Sequence, residues 1–560
     1  MAGRPTAHAW RRGCAAAGVY VGAAAHKRPG GPALVLAGAA EASPGVLTVD
    51  HAANTKFGRA MTTTTTGADI ETSPPRFARA GVGAVAAVSS IALLVFLDRY
   101  GYFGDELYFL SAGRRLSFGY ADQGPALPLI AHVLDSVAPG SLFVLRLPAV
   151  LATAAAIVIS AQIAREFGGG RGAQLLAAGG YATSPFLLVQ GGQLATNSFD
   201  IPLWVLITWL LVRWARTRDD RLLLWAAVAT AFALQIKWLV PILWICVGLS
   251  VLLVGPRELL RRRFLWVGAA GAALTTIPML VWQAGNGWPQ LAMGSVIAAE
   301  NDTVGGRPAF VPLALFIAGL LGGVLLLCGV WALLRWEPLR PFRFVGVTVV
   351  LTFVVFMVLG GRAYYVAGVY AVAMAAGAVW LTRDGPRRRR KIVAVPLIAA
   401  SAALAGWSLP WQPERDIPPV SADDGMATLT YGRFGWPELA EETAAAYRDL
   451  TDEEREWAVV IAESYWQASA LDNYPDGDLP AVYSPGRGWG YFGAPPDDAT
   501  TVLYVDRYPD TARELCAHVD PVGRADARLG IPGVSRDVTI WKCVDPRQPW
   551  STIWPSLRRL

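Results

Sequence analysis

Residues 80–108 read AGVGAVAAVSSIALLVFLDRYGYFGDELY. The apolar run over 80–97 is long enough to cross a bilayer, and within a few residues of its end come the adjacent carboxylates Asp105 and Glu106. Charge is costly in hydrocarbon, so two acids where a membrane helix emerges mark either a solvated helix end or a site that uses them. The rest of the chain decides between the two.

Working outward, the same apolar character recurs. The 560 residues are 54% hydrophobic and 16% charged, with a mean hydropathy of +0.37, too apolar for a soluble domain of ordinary make-up. Apolar windows fall at 80–97, 143–164, 173–189, 199–215, 222–237, 238–254, 264–283, 310–334, 344–360, 365–382 and 392–409. The expected class is therefore a polytopic α-helical membrane protein of about 11 transmembrane helices. Basic residues gather at Arg213/Arg216/Arg218/Arg221, Arg257/Arg261/Arg262/Arg263, Arg335/Arg340/Arg343 and Arg383 with 387–391. If the windows alternate, all four clusters fall on one side, which the positive-inside rule makes cytoplasmic. The N-terminus is then cytoplasmic, and the opposite side holds 98–142, 190–198, 284–309, 361–363 and everything after 410. No nucleic-acid partner is expected.

After residue 410 the chain turns polar and acidic. It holds 14 Lys and Arg against 25 Asp and Glu, a net of −11 in a chain whose total is +6. Residues 457–461, 480–483 and 501–505 read as short strands between helical stretches, so 410–560 is expected to be an extracytoplasmic α/β domain with a core of its own. Two of the five cysteines, Cys516 and Cys543, lie in it and read as a disulfide in an oxidising compartment, two unrelated buried thiols being the alternative. Residues 1–79 lack periodicity, read as disordered, and include Met61 as an alternative start. No Cys/His spacing suggests structural zinc.

Asp105-Glu106, with the following Gly119-Tyr120-Ala121-Asp122-Gln123-Gly124-Pro125, resembles glycosyltransferase family 39, a GT-C type family containing protein O-mannosyltransferases and lipid A aminoarabinose transferases. Its members carry an Asp-Glu pair on the first outer loop and then Gly-Tyr-x-Asp-His-Pro-Pro. Gln193 to Asp200, opening the fourth helix with an acid, and Gly361-Arg362-Ala363-Tyr364-Tyr365 match further family segments in register. The resemblance runs from about residue 80 to 410 and implies a transfer of sugar from a polyprenyl-phosphate donor to a lipid, glycan or protein acceptor at the outer membrane surface.

That reaction needs a carboxylate within reach of the acceptor hydroxyl and cations or donors at the leaving phosphate. By resemblance Asp105 is the base, Glu106 shapes its position, and Asp200 is a second acid. Asp122 and Gln123 are acceptor-binding candidates. Arg114, Arg115, Lys237, Arg362, Tyr364 and Tyr365 are the donor-phosphate candidates. Each has a plainer reading as well: a snorkelling Lys237, a polar helix face for Arg114 and Arg115, an interfacial aromatic belt for the tyrosines. Trp466, Tyr483, Trp489, Tyr491 and Phe492 could stack on sugars or fill a core. This chain has Gln123-Gly124-Pro125 where relatives have His-Pro-Pro, and His132 reads as a surface residue, so no cofactor is expected and a divalent metal is left open. A transporter or flippase is the alternative class. It would place polar residues near the midplane and show repeated halves, and neither is seen here.

Overall fold

The computed structural model describes residues 73–384, 388–420, 427–474 and 479–560, with side chains of the last helix of the membrane part described from 395. The expectations for the N-terminal segment up to residue 72, including Met61, lie outside the described residues, as does the basic stretch 387–391 at the level of side chains.

Every apolar window falls on helix, but not every window is one helix. Leu142–Glu166, Thr196–Thr217, Glu337–Val358 and Ala363–Thr382 are each long and apolar enough to span a membrane. Two further spans are broken: Arg263–Thr275 meets Ile277–Gly285 at 42°, and Gly306–Ala318 meets Leu320–Arg335 at 115°. The straight span expected over 310–334 is thus corrected to two helices. Its break sits at Gly319, whose φ of 80° is a left-handed value that a Cβ would disfavour. Arg79–Val95, Arg221–Leu234, Val240–Val254 and Val395–Trp407 are shorter apolar helices. The described residues therefore hold four spans by length and composition, or up to six with the bent pairs. These helices share one core, in which Trp204, Trp214, Tyr181 and Tyr370 are fully enclosed. Large apolar side chains such as Ile91, Trp225, Leu253, Trp266 and Val281 stand exposed, as lipid-facing residues do.

The stretches between the apolar helices are not loops alone. Residues 98–142 contain the helices Gly104–Gly113 and Ala126–Val137, and 284–309 contains the helix Pro289–Asp302. Beyond residue 410 lies a five-stranded sheet in the order β2-β1-β3-β5-β4, with β1 Ala458–Ala462, β2 Val482–Tyr483, β3 Thr501–Asp506, β4 Cys516–Ala525 and β5 Val538–Pro546. β1 runs parallel to β2 and β3, in the register Val460 to Val482 and Ala458 to Thr501. β5 is antiparallel to β3 and β4. Cys516 and Cys543 are joined, with Cα atoms 5.6 Å apart, tying the start of β4 to β5.

The sheet domain and the first outer loop share a core. Phe103, Leu107, Tyr108 and Leu127 pack with Trp436, Val460, Trp466 and Leu503. Beneath this contact lies a buried ion pair. Glu106 accepts from Arg146 Nε at 2.9 Å and Nη2 at 2.7 Å, and both side chains are fully enclosed. Glu106 also takes the N–H groups of Phe103 and Leu194, each at 2.9 Å. Arg146 donates to the carbonyls of Leu97, Tyr100 and Gly101 at 2.5, 3.3 and 2.7 Å. Helix exit, loop helix and the Leu142–Glu166 span are thereby fixed to one another.

Burial pushes the Glu106 carboxyl up, but Arg146 and then the Phe103 N–H outweigh it and hold the group below the usual carboxylate range. An acid whose pKa is lower folded than unfolded stabilises fully above its unfolded pKa and loses that contribution as pH falls through the folded value. Arg146→Met strands the buried carboxylate and should cost about 3–5 kcal/mol. Thermal unfolding in detergent should show this loss, with the double variant Arg146→Met/Glu106→Leu recovering much of it.

Candidate active site

The geometry begins at the first turn of the Gly104–Gly113 helix. Successive helical residues point about 100° apart, so the neighbouring acids cannot share a destination. Glu106 turns inward to Arg146, while Asp105 remains half-buried at the junction with the outer domain. Asp105 Oδ1 accepts from Tyr465 Oη at 2.9 Å and from Trp466 Nε1 at 2.8 Å. Among the described residues its Oδ2 has no hydrogen-bond donor. Burial and then the charge of Asp105 push the Tyr465 phenol well above its usual pKa, so it stays a donor.

Around this carboxylate the other expected residues divide into two groups. Tyr364 lies within electrostatic reach of Arg362, Lys237 and Asp105. Lys237 Nζ stands 4.4 Å from the Tyr365 ring centroid and 5.8 Å from that of Tyr364, in cation–π contact. Lys237 is also the charged neighbour of Asp200, which is buried at the start of the Thr196–Thr217 span with Oδ1 unpartnered among the described residues. Asp122 accepts from Tyr108 Oη at 2.8 Å. Burial pushes its carboxyl up against the opposing pull of Tyr108 and Arg487. Gln123 is buried with both amide atoms unpartnered among the described residues.

The loop carrying Asp122 and Gln123 is strapped beside Lys237. Gly124 N donates to Ile236 O at 3.1 Å and Ala126 N to Gln235 O at 3.0 Å. A Cβ on Gly124 would come within 2.0 Å of Gln235 O, so the glycine is what this close approach requires.

Arg114 and Arg115 are placed otherwise. They meet Asp472 of the outer-domain helix Tyr465–Asn473, at 2.5 and 3.0 Å, and Arg115 also covers the Trp489 ring at 4.8 Å. Ser111 donates to the same carboxylate at 2.6 Å. Burial raises the Asp472 pKa, but Arg115 and Arg114 outweigh it and hold the group below its ordinary value. These arginines join the C-terminal domain to the loop helix, apart from the other residues expected at the donor phosphate. Trp466 and Trp489 are likewise interior residues, their indole N–H groups given to Asp105 and to Ser469 Oγ. His132 is exposed.

Two members of the site carried no signal in the sequence. Glu300, at the end of the Pro289–Asp302 helix, pairs with Arg362 at 2.5 Å and with Arg487 of the outer domain. Arg487 in turn influences Asp122 and Tyr465. Both residues sit in segments that read as loops, and their partners are distant in sequence.

Arg362 and Tyr364 also line a cavity of about 470 Å³. Its wall is mainly apolar, from Leu93, Phe186, Val189, Leu313 and Ile317, and it reaches the exposed Trp407 and Trp411, whose rings meet at a tilt of 60°. An apolar chamber with a few polar groups at its ends suits an amphiphile.

Replacing Asp472 by Asn should cost about 1–3 kcal/mol by weakening charge-assisted bonds to both arginines. Limited proteolysis and thermal unfolding would show a loosened outer domain, without the pH and binding effects expected of a site residue.

Residues 122–282 match the family described as dolichyl-phosphate-mannose-protein mannosyltransferase. No curated protein matches the chain significantly by sequence. Among solved structures, ArnT from Cupriavidus metallidurans bound to undecaprenyl phosphate superposes with a TM-score of 0.53 at 15% identity, covering 83% of this chain and 98% of that one. Its apo form gives 0.52 at 15% identity, covering 86% and 99%. The archaeal oligosaccharyltransferase AglB from Archaeoglobus fulgidus gives 0.46 at 12% identity, covering 77% and 70%. The chain thus carries a segment similar to that mannosyltransferase family and shares its fold with ArnT.

Proposed function

We propose that the chain transfers a sugar from a polyprenyl-phosphate donor to an acceptor hydroxyl at the outer face of the cytoplasmic membrane, with inversion. The observation that carries this reading is Tyr364, which lines the apolar cavity with Arg362, lies within electrostatic reach of Asp105 and has Lys237 in contact with its ring. The undecaprenyl phosphate of ArnT supports a prenyl-phosphate lipid as the cavity's occupant.

In this scheme the acceptor O–H gives its proton to Asp105 Oδ2 as the oxygen attacks the anomeric carbon. The bond from that carbon to the phosphate oxygen breaks, and the electron pair leaves with the polyprenyl phosphate. Tyr465 and Trp466 hold Oδ1 and so aim the second oxygen. Lys237, Arg362, Tyr364 and Tyr365 meet the developing charge on phosphate. Asp200 and the unpartnered amide of Gln123 face the sugar or acceptor, together with Asp122. A metal has no assigned part.

The organisation we infer is a cytoplasmic segment 1–79, a transmembrane catalytic domain 80–409, and an extracytoplasmic domain 410–560. Thiols introduced at Asp219 and at Glu438 should label from opposite sides in intact cells, Glu438 from outside. Labelling of Asp219 from outside would reverse the topology.

Purified protein offered polyprenyl-phosphate sugars should release polyprenyl phosphate. Asp105→Asn should lower transfer by about 10² or more while donor binding survives. Near-normal transfer by a folded Asp105→Asn variant would remove the base assignment. Arg362→Gln and Lys237→Gln should instead weaken donor binding.

A further inference from the structure

The same cavity has a second guanidinium that the reaction scheme does not use. Arg433 precedes the Trp436–Arg448 helix of the outer domain, is 7% exposed, and lines the cavity with Arg362. Its Nη2 donates to Gln193 Oε1 at 3.0 Å, and its buried Nε has no partner among the described residues. The acid that acts on it is Glu106, which is already committed in a bidentate pair to Arg146. One carboxylate thus faces two buried guanidinium groups. Among the described residues, the second positive charge is left with an amide on one side and an apolar chamber on the other. Burial first, and the like charge of Arg146 second, push the Arg433 pKa down to about 10, the response of a cation short of counter-charge.

A buried charge without its counter-ion is strongly unfavourable, and a planar fork of donors matches the oxygens of a phosphate. We infer that Arg433 binds the phosphate of an isoprenoid lipid held in this cavity, so that the outer domain supplies part of the lipid site. This rests on the proposed polyprenyl-phosphate reading and adds to it a residue outside the membrane helices. Arg433 would be a binding residue for the lipid, separate from the proton transfer at Asp105.

The test uses the full-length protein in detergent, titrated with polyprenyl phosphate and with the same polyprenol lacking phosphate. Phosphatidylglycerol and inorganic phosphate serve as competitors. Wild-type protein should prefer the phosphorylated lipid, and Arg433→Gln should lose that preference by roughly tenfold or more, with polyprenol binding unchanged. Arg433→Lys, which keeps the charge and loses the fork, should fall between them and serves if the Gln variant does not fold. Without lipid, Arg433→Gln should unfold at the same temperature as wild type or higher, because a buried charge with no carboxylate of its own among the described residues has been removed. An unchanged preference, or equal loss for both lipids with a lower unfolding temperature, would overturn the inference and leave Arg433 a structural residue. Competition by inorganic phosphate or phosphatidylglycerol at the polyprenyl phosphate concentration would overturn the isoprenoid assignment. Because no sugar is present, failure of transfer with phosphate-dependent binding intact would count against the proposed reaction alone.

Discussion

The enclosed pair of Glu106 and Arg146 is the contact on which the outer half of the molecule depends. A carboxylate and a guanidinium in a dry interior tolerate each other only when their remaining donors and acceptors are met, and here they are met by backbone from two separate segments, 97–103 and Leu194. The pair therefore acts as a fastener between the helix exit at Leu97, the loop at Leu194 and the span beginning at Leu142. The loop helix can then present its other acid in a fixed direction, and the outer domain has a firm floor on which to sit.

This division of labour between adjacent acids follows from helix geometry. Had Asp105 and Glu106 exchanged places, the shorter side chain would have faced Arg146 and the longer one the junction with the outer domain. The same economy appears at Glu300, which meets Arg362 from a membrane helix end and Arg487 from the sheet domain. In both places the positive groups outnumber the acid that joins them, a balance suited to an anionic ligand in the space between.

Much of the architecture was legible from local patterns. Apolar windows identified the helical regions, and β1, β2 and β3 were visible as short apolar runs. The break at Gly319 was not, because its neighbours on both sides are continuously apolar and hydropathy carries no angle. β4 and β5 were missed for the opposite reason: β4 exposes His518, Asp520 and Pro521 and lacks a clean alternation. At the site, residues borne on a family-like motif were findable, whereas Arg433, Arg487 and Glu300 are defined by partners far away along the chain. The partner of Arg114 and Arg115 was hidden for that reason, since the carboxylate they meet lies 358 and 357 positions later. Single-sequence patterns report which residues are polar and which helices form; they do not report which distant charge arrives beside them.

The hydrogen bonds to Asp105 come from Tyr465 and Trp466, 360 and 361 positions downstream. A ribosome completes every apolar window before it reaches those two residues. The nascent chain can thus insert its helices while the carboxylate still lacks both of its supports. Readiness for chemistry thus comes after the apolar windows are complete, and a chain interrupted between residues 410 and 464 would sit in the membrane with its acid unaimed.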